Sequence, residues 1–431
     1  MKRILCILMV FLLLMPGAVM AEEETAEEPT EIRNQNIFVP TKEGVQRATY
    51  EEALRIEELK KQPLTSLTTA YLLGDYKSGK ILESYNIDEV KPMASMSKLV
   101  SVFVVLDEIS RGALSRGDVI LIDREAAALG GSSYELKEND TKTVGELLEA
   151  SLIISGNDAI TALAKHVAGS KEAFVDMMND KCQELGLKNA HMVNPTGLTD
   201  YMVEDYNKMT LREMFILSRE LISKHPEVLE ITSKTKIEEP DRDFVEYNTN
   251  PTLGITEGID GLKTGYTGAS GRCLIATGVK KGEYGKTLDT RLIGITTGSK
   301  NDWERYVAAN KLMGEGFEKH KYIVIGNPEK SISKIKIEDA SVPEVDVYEK
   351  YQGSVLWNGK SKINRKLDIK PGLKAPLAVG DVVGSVSYVM DGEEIENIDL
   401  IVKDRVTQKG IIFKIKEMYE NIFLNIRKAA A

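Results

Sequence analysis

Between residues 64 and 320 the hydrophobic pattern changes period twice, and this limits the fold more than any other feature of the chain. Residues 69–73 and 80–84 are apolar and β-prone, with Asp75, Ser78 and Gly79 between them, which predicts a hairpin. Helical spacing then takes over. Residues 98–109 are a strong helical stretch, and Thr143-x-x-Glu146 is a capping box heading an apolar run over 143–150. The pattern breaks at Ser155-Gly156-Asn157 and resumes over 159–167. A further helix covers 170–185, with Gly186 placed to end it; Thr210-x-x-Glu213 opens another, which Pro226 closes. After Gly254 the strand period returns over 260–266, 273–279 and 291–297, with 280–289 as a hairpin loop, before a helix over 303–314. Strands at both ends of a helical middle predict an α+β domain with one antiparallel sheet over 64–320.

The flanking segments read differently. Over 321–408, short alternating runs at 335–337, 345–347 and 383–389 are divided by Pro, Gly and Asp, which predicts a small all-β domain, sandwich or barrel. Residues 409–431 predict a final helix. Ile411, Ile415, Met418, Ile422 and Ile426 recur every three or four residues, with Ile412, Tyr419 and Phe423 beside them. Lys414, Lys416, Arg427 and Lys428 flank this stripe with Glu417 and Glu420, too much charge for a spanning helix. A basic amphipathic helix suits a membrane surface; the alternative is packing on the β-rich domain. At the other end, Lys2 and Arg3 precede a short apolar run, and Val19 and Ala21 suit a cleavage site, so residues 1–21 read as a signal peptide. Residues 22–63 follow as an acidic leader, glutamate-rich over 22–31.

Composition removes several classes of function. The net charge is −10, and −12 once Lys2 and Arg3 are gone, which gives no reason to expect a nucleic-acid partner. His166, His191, His225 and His320 are the four histidines, none with the spacing of a helical zinc site, and no Cys-x-x-Cys occurs. No metal or cofactor is expected. A Ser-His-Asp hydrolase would need one of these histidines, and the Gly-x-Ser-x-Gly elbow is absent. Cys182 and Cys273 allow one disulfide, with two buried thiols as the blander state.

Three short motifs carry the chemistry. Ser95-Met96-Ser97-Lys98 opens a helix, Ser155-Gly156-Asn157 lies between two helices, and Lys263-Thr264-Gly265 lies on a strand with Tyr266 next. Each is weak alone; in this order and these contexts the set is specific. Residues three apart on a helix share a face, so Lys98 can reach the Ser95 hydroxyl. A serine becomes a useful nucleophile only when a base takes its proton. Without a suitable histidine that base is a lysine, whose pKa must be lowered by burial or by a second cation, for which Lys263 is placed. Asn157 can orient Lys98 and a substrate amide, Ser155 can pass a proton to a leaving amine, and Lys263 with Thr264 suits a free carboxylate. Gly265 permits close backbone approach.

These residues resemble the low-molecular-mass penicillin-binding proteins that act as serine D-alanyl-D-alanine carboxypeptidases. The resemblance extends to the blocks at 91–99, 151–159, 194–198, 260–271 and 291–306. It implies a β-lactamase/transpeptidase-like domain, antiparallel sheet plus helical subdomain, followed by the all-β domain and the terminal helix. It implies removal of the terminal D-alanine from peptidoglycan stem pentapeptides, β-lactams as inhibitors, and a place at the outer face of the bacterial cytoplasmic membrane. It further implies an oxyanion hole from the backbone N–H groups of Ser95 and Tyr266, and Arg305 as a holder of the terminal carboxylate. Many relatives have histidine where Tyr266 stands. Three alternatives stay open: a D,D-endopeptidase acting on cross-links, a class A β-lactamase, and a catalytically silent scaffold. The β-lactamase would need a deacylating Glu-x-x-x-Asn; Glu246 and Asn250 match, but Asn250 is only 263 − 250 = 13 residues before Lys263.

Overall fold

The protein is seen here as a computed structural model, which describes residues 37–199, 202 and 205–429. The signal segment expected at 1–21 and the glutamate run at 22–31 lie outside the described residues. A short hairpin, Phe38–Thr41 against Gly44–Arg47, leads into helix α1 (Tyr50–Lys60). Thr49 and Glu52 cap α1 reciprocally. Its Ala53 and Ile56 are buried with Ile37, Val39, Tyr306 and Val307. This differs from the acidic leader expected over 22–63. The acids of α1 lie on its solvent side, and only two buried positions, three residues apart, mark the apolar side.

Strands β1 (Ala70–Asp75) and β2 (Ile81–Tyr85) form the expected hairpin. The helical middle consists of α2 (Lys98–Ser110), α3 (Val144–Ile153), α4 (Asn157–Ala168), α5 (Lys171–Glu184) and α6 (Leu211–Lys224). The chain then returns as β3 (Ile259–Thr267), β4 (Gly271–Lys280) and β5 (Thr290–Ser299), followed by α7 (Asp302–Lys319). The five strands form one antiparallel sheet in the order β3-β4-β5-β1-β2. Its two halves, from either end of the helical insert, join where Thr297 faces Ala70 and Leu292 faces Asp75.

Side chains alternate across this sheet with period two. Leu72, Ile275, Ile293 and Ile295 join the core of the helical side, whereas Leu73, Leu274 and Leu292 pack on Ala309, Leu312 and Met313 of α7. Helix α2 is apolar on nearly all sides, and its first ten residues are all buried, so it runs through the centre of the domain. Strand β3 is left at the sheet edge, beside the start of α2.

The second unit contains β6 (Lys321–Ile325), β7 (Ser333–Ile335), β8 (Val345–Glu349), β9 (Gly353–Trp357), β10 (Ile363–Ile369), β11 (Val382–Met390) and β12 (Glu393–Ile401). One sheet has the order β7-β8-β12-β11-β10; the other joins Thr287–Leu288, β6 and β9. Both contribute to one core around Val347, Val355, Val386 and Leu400, a sandwich arrangement. The 280–289 loop thus does more than close a hairpin, because Thr287 and Leu288 pair with β6. Tyr322 Oη donates to Asp75 at 2.8 Å across the same junction. Helix α8 (Ile411–Ala429) leaves this unit with its apolar residues in solvent, from Ile422 at 45% to Ile412 at 81% exposed, and touches the β-rich unit through Lys414 and Asp339 at 3.2 Å. Among the described residues no helix is long and apolar enough to cross a membrane. Cys182 and Cys273 are free, buried thiols.

Candidate active site

The chain reaches α2 through one turn of 3-10 helix, Ala94–Ser97, which carries Ser95. Ala94 has φ 47°, a left-handed conformation that costs a non-glycine residue about 1 kcal/mol or more. The surroundings enforce it. Ser97 Oγ donates to Ala94 O at 2.9 Å and accepts from Asn207 Nδ2 at 2.8 Å. Gly197 lies against the same carbonyl; a Cβ there would stand 2.0 Å from Ala94 O. Gly265 approaches from the other side, where a Cβ would stand 3.0 Å from Met93 O and 3.2 Å from Met96 N. The two glycines let edge strand β3 and the 194–198 loop close on the segment bearing Ser95.

Lys98, the first residue of α2, is fully buried. Its Nζ lies 2.9 Å from Ser95 Oγ, 2.7 Å from Asn157 Oδ1, 2.8 Å from Thr196 O and 3.5 Å from Ser155 Oγ. One amine thereby brings together Ser95, Lys98, Ser155 and Asn157. Ser155 sits at φ 65°, turned in from the break between α3 and α4. Asn157 opens α4 and its Nδ2 donates to Gly130 O at 2.8 Å, so part of the donor capacity expected for substrate is spent on the 130–136 loop. Buried Asp158 holds that loop by accepting from Ser133 Oγ at 2.7 Å and Tyr134 N at 2.9 Å.

Burial pushes the Lys98 pKa far below the ordinary lysine value, the Lys263 charge pushes it further, and Asp158 opposes both. Lys263 is also buried and donates to Thr264 O at 3.0 Å. Burial, and then Arg305, lower it to about 7. Thr264 Oγ1 lies 2.6 Å from Thr249 Oγ1. The Arg305 side chain is 14% exposed and pairs with Asp302 at 2.7 Å, while its Nε is buried without a hydrogen-bond partner. Tyr266 is half exposed, stacked under Arg272 at 3.5 Å from ring centroid to guanidinium carbon, and Arg272 reaches Asp302 at 3.2 Å. The site therefore sets a buried amine of lowered pKa against the Ser95 hydroxyl, beside the edge strand that carries Lys263 and Thr264.

Sequence reasoning missed the roles of Thr196 O and Gly130 O, which carry no side-chain signal, and also missed Asp158, Thr249, Arg272 and Asp302. The 194–198 block was legible as a block, not as the source of an acceptor for Lys98. Glu246 lies exposed on a hairpin strand, and Asn250 is buried with its amide on Gly261 O at 2.9 Å. The Asn250 amide is thus committed to the backbone of β3. His225 is buried against Asp107 at 2.7 Å, engaged in a different cluster.

Comparison with known proteins adds a second line. Residues 57–290 match the family model for D-alanyl-D-alanine carboxypeptidase (peptidase S11), and residues 317–408 match that for the C-terminal domain of penicillin-binding protein 5. D-alanyl-D-alanine carboxypeptidase DacC of Escherichia coli (strain K12) is 31% identical over 360 residues, 80% of this chain and 86% of that protein. The solved structure of penicillin-binding protein 5 from Haemophilus influenzae is 28% identical with a TM-score of 0.59, covering 79% of this chain and 98% of that one. Penicillin-binding protein D2 from Listeria monocytogenes, solved in an ampicillin-bound form, is 33% identical with a TM-score of 0.52, over 58% of this chain and 97% of that one.

Proposed function

This chain belongs to the peptidase S11 family of D-alanyl-D-alanine carboxypeptidases, and from that premise we propose that it removes the terminal D-alanine of peptidoglycan stem pentapeptides through an acyl-enzyme on Ser95. The observation that carries this reading is the buried Lys98 amine, 2.9 Å from Ser95 Oγ, with its pKa driven down by burial and by Lys263. Neutral Lys98 takes the Ser95 proton as Oγ attacks the carbonyl of the penultimate D-alanine. The backbone N–H groups of Ser95 and Tyr266 hold the developing oxyanion. Ser155, 3.5 Å from Lys98, relays the proton to the leaving nitrogen, and water then hydrolyses the ester. Lys263, Thr264 and Arg305 hold the terminal carboxylate. The reading is supported by Arg305 being nearly enclosed, by its unpartnered Nε, and by the charge it exerts on Lys263. A β-lactam enters the same attack and leaves slowly.

The protein acts, on this reading, outside the cytoplasm after cleavage near Ala21, held to the outer membrane face by α8. That helix presents Ile411, Ile415, Met418, Ile422 and Ile426 to solvent between lysines and arginines, a face suited to a headgroup layer. The catalytic reading is tested by incubating the mature protein with a stem pentapeptide. Free D-alanine is expected from the native protein, and Ser95→Ala is expected to lower the rate by several orders of magnitude; equal release by both proteins contradicts the assignment. A chain ending at Gln408 is expected to leave the washed membrane fraction while keeping its activity. Retention of that truncated chain on membranes contradicts the role given to α8.

A further inference from the structure

The chain carries a net charge of −10, yet residues 359–374 hold six cations and one acid, a local charge of 6 − 1 = +5. Lys360, Lys362, Arg365, Lys366, Lys370 and Lys374 are all exposed, and Asp368 is the acid. Strand β10 forms the centre of this stretch and ends its sheet, so among the described residues no strand pairs with its outer edge. Lys374 pairs with Glu338 at 3.0 Å; among the described residues the other five cations meet no acid at ion-pair distance. Nearby acids are engaged or set back. Asp391 accepts from Ser361 Oγ at 2.5 Å, Asp381 accepts from Ala378 N at 2.7 Å, and the glutamates of β12 lie beyond β11 from the open edge.

The cations follow a line that joins the two units. At one end Gly359 lies against the last residue of α7, where a Cβ would stand 3.0 Å from Lys319 O. At the other end Ala375 N donates to Glu338 O at 2.9 Å, next to Asp339, which holds Lys414 of α8 at 3.2 Å. The seven residues of β10 between them span about 20 Å. Neighbouring side chains on a strand point to opposite faces, so Arg365 and Lys366 reach the open edge from both sides of the sheet. Their long stems let the charged heads gather along that edge.

A row of positive charge in an acidic protein suits an extended chain with an anion on each repeat. Five lysines to one arginine favour phosphate, which a point charge meets from any direction, over the planar carboxylate that an arginine fork matches. Lysines along an open edge also repel a further strand, so the occupant is not another β-segment. A lipid surface held by α8 lies near the Lys374 end, whereas the Lys360 end stands about 20 Å along the strand from there, about two screening lengths. We propose that the open edge of β10 is a binding site for a linear, phosphate-bearing polymer, laid from the start of α8 to the catalytic unit. The site is separate from the Ser95 centre and depends on none of its chemistry.

The test measures binding of a fluorescent synthetic poly(glycerol phosphate) chain to the full mature protein. Two variants lose the same charge: Lys362→Gln with Arg365→Gln and Lys366→Gln on the strip, and Lys280→Gln with Lys281→Gln and Lys286→Gln on the exposed 280–289 loop. All six positions are exposed, so both variants are expected to keep the native unfolding midpoint and the native rate of D-alanine release. Native affinity is expected to fall about 10²-fold between about 50 and about 200 mM salt, as release of counterions from some five phosphates requires. The strip variant is expected to bind at least about tenfold more weakly at about 0.1 M salt and to lose most of that salt dependence; the loop variant is expected to bind as the native protein does. Vesicles of phosphatidylglycerol and phosphatidylcholine are expected to bind the native protein and the strip variant equally. Native-strength polymer binding by the strip variant, or equal losses in both variants, overturns the proposal. Loss of vesicle binding by the strip variant with polymer binding intact also overturns it and makes the strip a lipid contact.

Discussion

Two clusters of buried charge lie in the same helical core and treat their lysines in opposite ways. At the candidate site, Lys98 and Lys263 are buried with hydroxyl, amide and carbonyl oxygens around their amines, and both pKa values fall. At the far end of α2, Asp107 forms ion pairs with Lys181 at 2.6 Å and Lys224 at 2.8 Å, and lies 2.7 Å from His225 Nε2. Burial pulls the Lys181 pKa down there too, but Asp107 and Glu184 outweigh it and hold it above its ordinary value. Burial also pushes Asp107 up, yet its three donors win and hold it at about 2. Burial alone therefore does not make a lysine a base. The deciding difference is a carboxylate in contact, which turns Lys181 into a strut and whose lack leaves Lys98 able to give up its proton.

The comparison can be broken by giving Lys98 what Lys181 has. Asn157→Asp sets a carboxylate where Oδ1 now stands 2.7 Å from Lys98 Nζ. It is expected to raise the Lys98 pKa and lower kcat about 10²–10³-fold at neutral pH, with the activity profile moved to higher pH; an unmoved profile means that Lys98 is not the base. The converse change is Asp107→Asn, which strips the strut of its anion. Loss of about 3 kcal/mol is expected in denaturant unfolding, with kcat unchanged, since one partner of a buried ionic cluster is left uncompensated. The pH dependence follows the same logic. The Asp107 carboxyl is held below its unfolded value, so its stabilisation is present above about pH 4 and is lost as pH falls through about 2, amounting to about 2.5 kcal/mol. Acid unfolding of the Asp107→Asn protein should accordingly show a shallower pH dependence.

The smallest effect concerns Lys263. With its pKa at about 7, it is an ammonium below that pH and a neutral amine above it. KM for a carboxylate-ended peptide is expected to rise severalfold from about pH 6.5 to about 8.5, with less change in kcat, since a bound carboxylate pulls the Lys263 pKa back up. A flat KM would mean that Lys263 does not meet the substrate.

How much of this the sequence shows depends on the range of each contact. Ser95 and Lys98 are legible because one helical turn joins them, and the sheet is legible because strand period frames the insert. The 38–60 segment is hidden because α1 buries only Ala53 and Ile56 under an acidic surface. The acceptor carbonyls of Thr196 and Gly130 carry no side-chain signature. Arg272 and Asp302 meet over Tyr266 only because of β4 register and the entry angle of α7, which no local pattern encodes.

The central claim is that Lys98 works as a neutral amine on Ser95. Its most direct test is mass spectrometry of the native and Lys98→Arg proteins after brief exposure to penicillin. Arginine stays protonated and so cannot take the Ser95 proton. The account expects one adduct, on the peptide containing Ser95, in the native protein, and almost none in a folded Lys98→Arg protein. An adduct forming at native speed in the arginine variant, or one mapped to Ser155, would contradict it.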